Sequence, residues 1–71
     1  MAETLDQRLL AAHAREDLQA LVALYAEAAD AAQDDMARGF YLTNAYVYAL
    51  DRGDTRAAEL HARLKALGRE E

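Results

Sequence analysis

Apolar residues recur along this chain at three- and four-residue spacing, and acidic or Gly-Asp pairs break the pattern at Glu16-Asp17, Asp34-Asp35 and Gly53-Asp54. That spacing gathers side chains on one face of a helix. Leu5, Leu9 and Ala12, with Leu10 beside them, predict a first helix from Leu5 to about Arg15; Thr4 and Gln7 form a capping box at its start. After Asp17, which can cap the next turn, Leu18, Leu21, Val22, Tyr25, Ala28, Ala29 and Ala32 predict a second helix, with Glu27, Asp30 and Gln33 facing away. A third begins after Asp35 and ends near Arg52, where Gly53 suits a left-handed C-terminal position; Gly39 is the alternative break. Asp54 then opens a fourth, carrying Ala57, Leu60, His61, Leu64 and Leu67 on one face and a Glu59–Arg63 pair on its surface.

The breaks at 17, 35 and 54 lie 18 and 19 residues apart, so alternate breaks are separated by 37. Helices restarted at a near-constant interval predict stacked hairpins, each needing its neighbour to finish burying its apolar face. The expected fold is all-α: four antiparallel helices in two hairpins, about 5–33 and 35–68, with 69–71 a polar tail.

The third helix carries two stripes. Met36, Phe40, Thr43, Val47 and Leu50, widened by Leu42, Tyr46 and Ala49, form the face expected to pack on neighbouring helices. Tyr41, Asn44, Tyr48 and Arg52 form a second stripe and the candidate partner-binding site. Tyrosine and arginine dominate interface energetics, and asparagine both donates and accepts hydrogen bonds. Two other readings stay open for this stripe, a cover of helix one inside the monomer and a contact between two copies.

Composition supports the helical class. Alanine and leucine number 18 and 11, there are only two valines, and isoleucine, proline, serine and cysteine are absent. A domain of 71 residues has marginal stability, and without cysteine it has no disulfide or thiolate metal site, so self-association is the expected supplement. The net charge of −5 is uneven: residues 1–35 hold eight acids and two bases, and residues 36–71 hold five acids and six bases. That balance disfavours nucleic acid. The polar start Met-Ala-Glu-Thr and the lack of a long apolar run predict a cytoplasmic chain without a membrane span.

Catalytic chemistry finds little support. No serine or cysteine nucleophile exists, the glycines at 39, 53 and 68 are isolated, and Asp34-Asp35 reads as a helix cap. His13 is expected at the rim of helix one and His61 at the core edge. His61 has no histidine or glutamate three or four residues on to build a metal site, and Glu16, three residues after His13, falls at the break that ends helix one. No cofactor is expected.

The run Leu42-Thr43-Asn44-Ala45-Tyr46, the Gly53-Asp54 turn and Ala58 beyond it resemble a tetratricopeptide repeat, and residues 5–33 repeat the layout more faintly. Thr43 stands where the repeat has glycine, about three extra residues separate Tyr46 from Gly53, and no proline ends the unit. The resemblance implies an α-solenoid fragment that binds a protein or peptide in a groove lined by helices one and three. Asn44 matches an asparagine of the carboxylate-clamp subgroup, but the accompanying lysines are missing: Lys65 is the one lysine. The expected function is a non-catalytic interaction module that binds a protein or peptide, or itself, through the aromatic stripe. The alternative is a small acidic regulator that masks a basic surface of its partner.

Overall fold

A computed structural model describes residues 3–68. These form four helices and, among the described residues, no strand: α1 (Leu5–Arg15), α2 (Leu18–Ala31), α3 (Asp35–Arg52) and α4 (Arg56–Ala66). The expected tail at 69–71 lies outside the described residues. No helix among them is long and apolar enough to cross a membrane.

The caps explain the boundaries. At α1, Thr4 Oγ1 accepts from Gln7 N–H at 3.1 Å while Thr4 N–H donates to Gln7 Oε1 at 2.8 Å, which completes the capping box. Asp17 Oδ1 accepts from Ala20 N–H at 3.1 Å at the start of α2. The joint between α2 and α3 falls near its expected place, not at Gly39, which lies buried inside α3. Asp34, not Asp35, caps α3: its carboxylate accepts from Ala37 N–H at 2.8 Å. Asp34 is extended (φ −140°) and so lies just outside the helix, whereas Asp35 is the first helical residue and turns to Arg38 at 2.7 Å. Asp54 serves α4 from one residue further out, its carboxylate accepting from Arg56 N–H at 2.8 Å.

The turns that end α1 and α3 share one geometry. Glu16 and Gly53 are both left-handed, at φ 53° and 72°. Asp17 N–H donates to Ala12 O at 3.0 Å, and Asp54 N–H to Ala49 O at 2.8 Å. Each is a Schellman closure, and Ala12 and Ala49, which accept the longer bond, are both fully buried.

Each helix packs on its neighbours in sequence. Val22 and Ala29 of α2, Leu42, Ala45 and Ala49 of α3, and Leu60 and Leu64 of α4 form one buried cluster. Ala12 of α1 with Leu21 and Leu24 of α2 forms a second, and Tyr25 and Tyr48 pack against both. Two ion pairs tie helices across the surface, Arg8–Glu27 at 2.8 Å and Arg63–Asp30 at 2.6 Å. Arg63 therefore reaches across to α2, not to Glu59 along its own helix. Leu10, expected beside the core face of α1, is exposed.

The main correction concerns α3. The face expected to pack inward is turned outward: Met36, Phe40, Val47 and Leu50 are 75%, 61%, 53% and 56% exposed, and Thr43 between them is exposed too. The buried arc is made by Gly39, Leu42, Ala45 and Ala49. Small residues win this arc because they let backbones approach closely, which gains dispersion contacts along the whole seam. Of the residues expected to widen the stripe, Leu42 and Ala49 are buried and Tyr46 is half-buried against His61, ring centroids 5.5 Å apart.

Candidate functional site

Helix α3 offers two surfaces. Of the sequence-predicted residues, the structure brings Tyr41 and Tyr48 together against Tyr25 of α2, whereas Asn44 bonds within α3 and Arg52 at the α3–α4 turn. Tyr48 is half-buried, stacks on Tyr25 of α2 (centroids 5.9 Å, planes at 14°) and meets His13 of α1 edge-on at 5.9 Å. Tyr41, also half-buried, lies tilted against Tyr25 at 6.3 Å and edge-on to Phe40 at 5.5 Å. The Asn44 side-chain amide donates to Phe40 O at 2.9 Å, one turn back on its own helix. Helix α1 thus covers Tyr48 through His13, and the face of this stripe left for a partner is a rim.

His13 is the residue that the sequence pattern left without a role. Its Nε2 lies 2.9 Å from Tyr25 Oη, and the tautomer decides which of the two donates. Burial pushes the Tyr25 hydroxyl above its ordinary pKa, and the neighbouring Tyr48 and Tyr41 add to the shift. Twelve residues separate His13 from Tyr25, so no helical spacing signals this contact.

Arg52 closes the stripe at the α3–α4 turn. Its Nε donates to Asp54 Oδ2 at 3.2 Å, and the Arg56 guanidinium donates to both Asp54 oxygens at 3.0 and 2.7 Å. Bonds from Arg56 foremost, with Arg52 assisting, hold the Asp54 carboxyl well below the usual carboxylate range. Arg52 is therefore committed to the turn, as Arg56 is.

The second surface is the outward row Met36, Phe40, Thr43, Val47 and Leu50. Its steps of 4, 3, 4 and 3 residues are the seam spacing of packed helix pairs. Over 15 residues it runs about 21 Å along the axis. Two polar groups within or beside it are already satisfied: Thr43 Oγ1 donates to Gly39 O at 2.8 Å, and Asn44 donates to Phe40 O. The signal for this surface was present in the sequence as that 4-3-4-3 order, beside an arc of Gly39, Leu42, Ala45 and Ala49.

A shallow open cleft between α1 and α2 is lined by Arg8, Arg15, Ala20 and Leu24, but Arg8 is paired with Glu27 and Arg15 lies 3.8 Å from Asp17. Among the described residues no three His, Asp or Glu side chains gather as a metal site would require. Comparison of the chain with family models, with curated proteins and with solved structures found no match in any of the three.

Proposed function

We propose that this chain is a non-catalytic protein-interaction module, built as two antiparallel helix hairpins in the tetratricopeptide-like manner and presenting α3 to another helix. Short joints between helices that pack on their sequence neighbours, and the shared turn at Glu16-Asp17 and Gly53-Asp54, support the hairpin reading. The observation that carries the function is the outward row on α3. Four large apolar side chains, each more than half exposed, stand in one line with no charge among them. A contiguous apolar patch of this kind on a small domain marks a surface that meets another protein.

The row shifts the expected contact from Tyr41 and Tyr48 toward Met36, Phe40, Val47 and Leu50, with Tyr41 reached at its border through Phe40. The mechanism is burial of that row, so binding should depend little on salt, unlike masking of a basic partner by acidic residues. The double variant Phe40→Glu/Val47→Glu tests it. Circular dichroism should match the parent, because both positions face solvent in the single chain. Association should fall at least about tenfold, read as sedimentation mass for self-association and as retention of proteins on the immobilised chain. Unfolding of the variant, or unchanged association, would overturn the reading.

A further inference from the structure

We propose that the partner of the α3 row is a second copy of this chain, docked antiparallel across a two-fold axis at Thr43. The inference rests on the interaction reading above and adds the occupant and its geometry.

The row is its own complement. Reversing α3 about Thr43 sets Met36 level with the partner's Leu50 and Thr43 level with the partner's Thr43, and brings Phe40 within one residue, about 1.5 Å, of the partner's Val47. The four large positions fall into mixed layers, a bulky ring opposite a smaller branched chain, and the smallest member lies at the crossing point where two helices come closest. An isologous pair requires this, since each patch must fit a reversed copy of itself. Steps of 4 and 3 residues keep the row facing a partner helix over its full length.

Polarity agrees. The Thr43 hydroxyl already donates to Gly39 O, so the two-fold axis can be desolvated without orphaning that donor. Arg38, the one charge within residues 36–50, is turned away to Asp35 and to Ala32 O. Asp34 and Asp35 stand at the N-terminal end of α3, and Asp51 with Arg52 at its C-terminal end. A parallel pair would set the two acids on the same two acids and align the helix dipoles; the antiparallel pair sets them against the Asp51-Arg52 end, whose charges sum to zero, and opposes the dipoles.

Area sets the strength. The four side chains expose on the order of 450 Å², within the range for the largest patch of a monomer. Two copies bury about 900 Å² from these side chains, below the ~1,200 Å² of a standard interface and in the range of weak, transient pairs. The result is a reversible dimer, the supplement that a 71-residue chain without cysteine is expected to need.

The absence of native cysteine makes the test clean. Thr43→Cys should form an interchain disulfide on mild oxidation, and Ala62→Cys on the exposed surface of α4 should not. Met36→Cys mixed with Leu50→Cys should cross-link while each alone stays monomeric in denaturing gels. The parent should sediment as a concentration-dependent dimer, and Phe40→Glu, entering the interface twice, should raise the dissociation constant about 100-fold. Self-cross-linking of Met36→Cys without the mixed product would overturn the antiparallel arrangement. A monomer at every concentration, with Thr43→Cys no more reactive than Ala62→Cys, would overturn the second copy as occupant. If Phe40→Glu/Val47→Glu still abolished capture of another protein, the interaction reading would survive that result; if capture were unaffected, both would fall.

Discussion

Tyr25 of α2 and Tyr48 of α3 stack with ring centroids 5.9 Å apart and planes at 14°, and this pair joins the two buried clusters of the domain. Each ring packs on the α2–α3–α4 core and on the α1–α2 core at once. The stack therefore couples α1 to the rest of the molecule in addition to the α1–α2 seam.

Tyr48→Ala is expected to lower folding stability by about 2–3 kcal/mol, less than a fully buried aromatic loses because the ring is half-exposed. Tyr48→Phe keeps the ring and should stay within about 0.5 kcal/mol of the parent. Urea unfolding followed by circular dichroism measures both. A Tyr48→Ala variant with unchanged stability and weakened association would instead place Tyr48 in a partner interface.

Alkaline stability follows from the same cluster. The Tyr25 pKa is raised in the folded state, so the folded protein holds this proton after the unfolded chain releases it. The corresponding stability is present below the ordinary tyrosine value of about 10 and is lost as pH rises through the folded value. Urea midpoints should fall above about pH 10, and Tyr25→Phe should flatten that fall while losing the hydrogen bond to His13. An unchanged alkaline slope in Tyr25→Phe would assign the titration to another tyrosine.

Asp54 has the opposite sign. Its folded pKa is depressed by Arg56 and Arg52, so its contribution is present above the ordinary carboxylate value of about 3.9 and is lost as pH falls toward the lower folded value. Below about pH 4 the parent should take up about one more proton on unfolding than Asp54→Asn does, read from the pH slope of the unfolding free energy. Equal slopes would show that the two arginines do not hold the carboxylate in solution.

The helices were legible because their signals are local. Thr4 with Gln7, Asp17, and Gly53 with Asp54 each punctuate the chain within three or four residues of the group they satisfy, and the structure starts and stops helices there. The buried side of α3 was not legible in the same way. Both of its sides are apolar, and hydrophobicity ranks Met36, Phe40, Val47 and Leu50 above Gly39, Ala45 and Ala49. The structure ranks them in reverse, because close approach between α2, α3 and α4 decides the core, and close approach needs small residues. The abundance of alanine carried that information without saying which face would use it. His13 against Tyr25 and Asp30 against Arg63 are tertiary contacts that no local spacing encodes.

The α2–α3 joint separates two neighbouring aspartates by function. Asp34→Ala removes the carboxylate that caps Ala37 N–H and should cost about 1 kcal/mol. Asp35→Ala removes an exposed pair with Arg38 and should cost a few tenths. Thermal or urea unfolding of the two single variants decides the matter, and a larger loss in Asp35→Ala would return the cap to the position expected from sequence.

The two Schellman turns give the sharpest comparison, because one geometry is filled by glycine in one place and by glutamate in the other. Glu16 at φ 53° bears the steric cost of a left-handed side chain, about 1–2 kcal/mol, while Gly53 at φ 72° bears none. Glycine also loses more chain entropy on folding, by about 0.4–1 kcal/mol, so Glu16→Gly should stabilise the fold by a net amount of up to about 1.5 kcal/mol. Gly53→Ala should lose a similar amount, and the loss belongs to the backbone alone, since a Cβ built there meets no atom within 4 Å. Opposite shifts of the urea midpoint in the two variants are the expected result. A Glu16→Gly variant that lost stability would mean that the Glu16 side chain contributes more than its strained backbone costs.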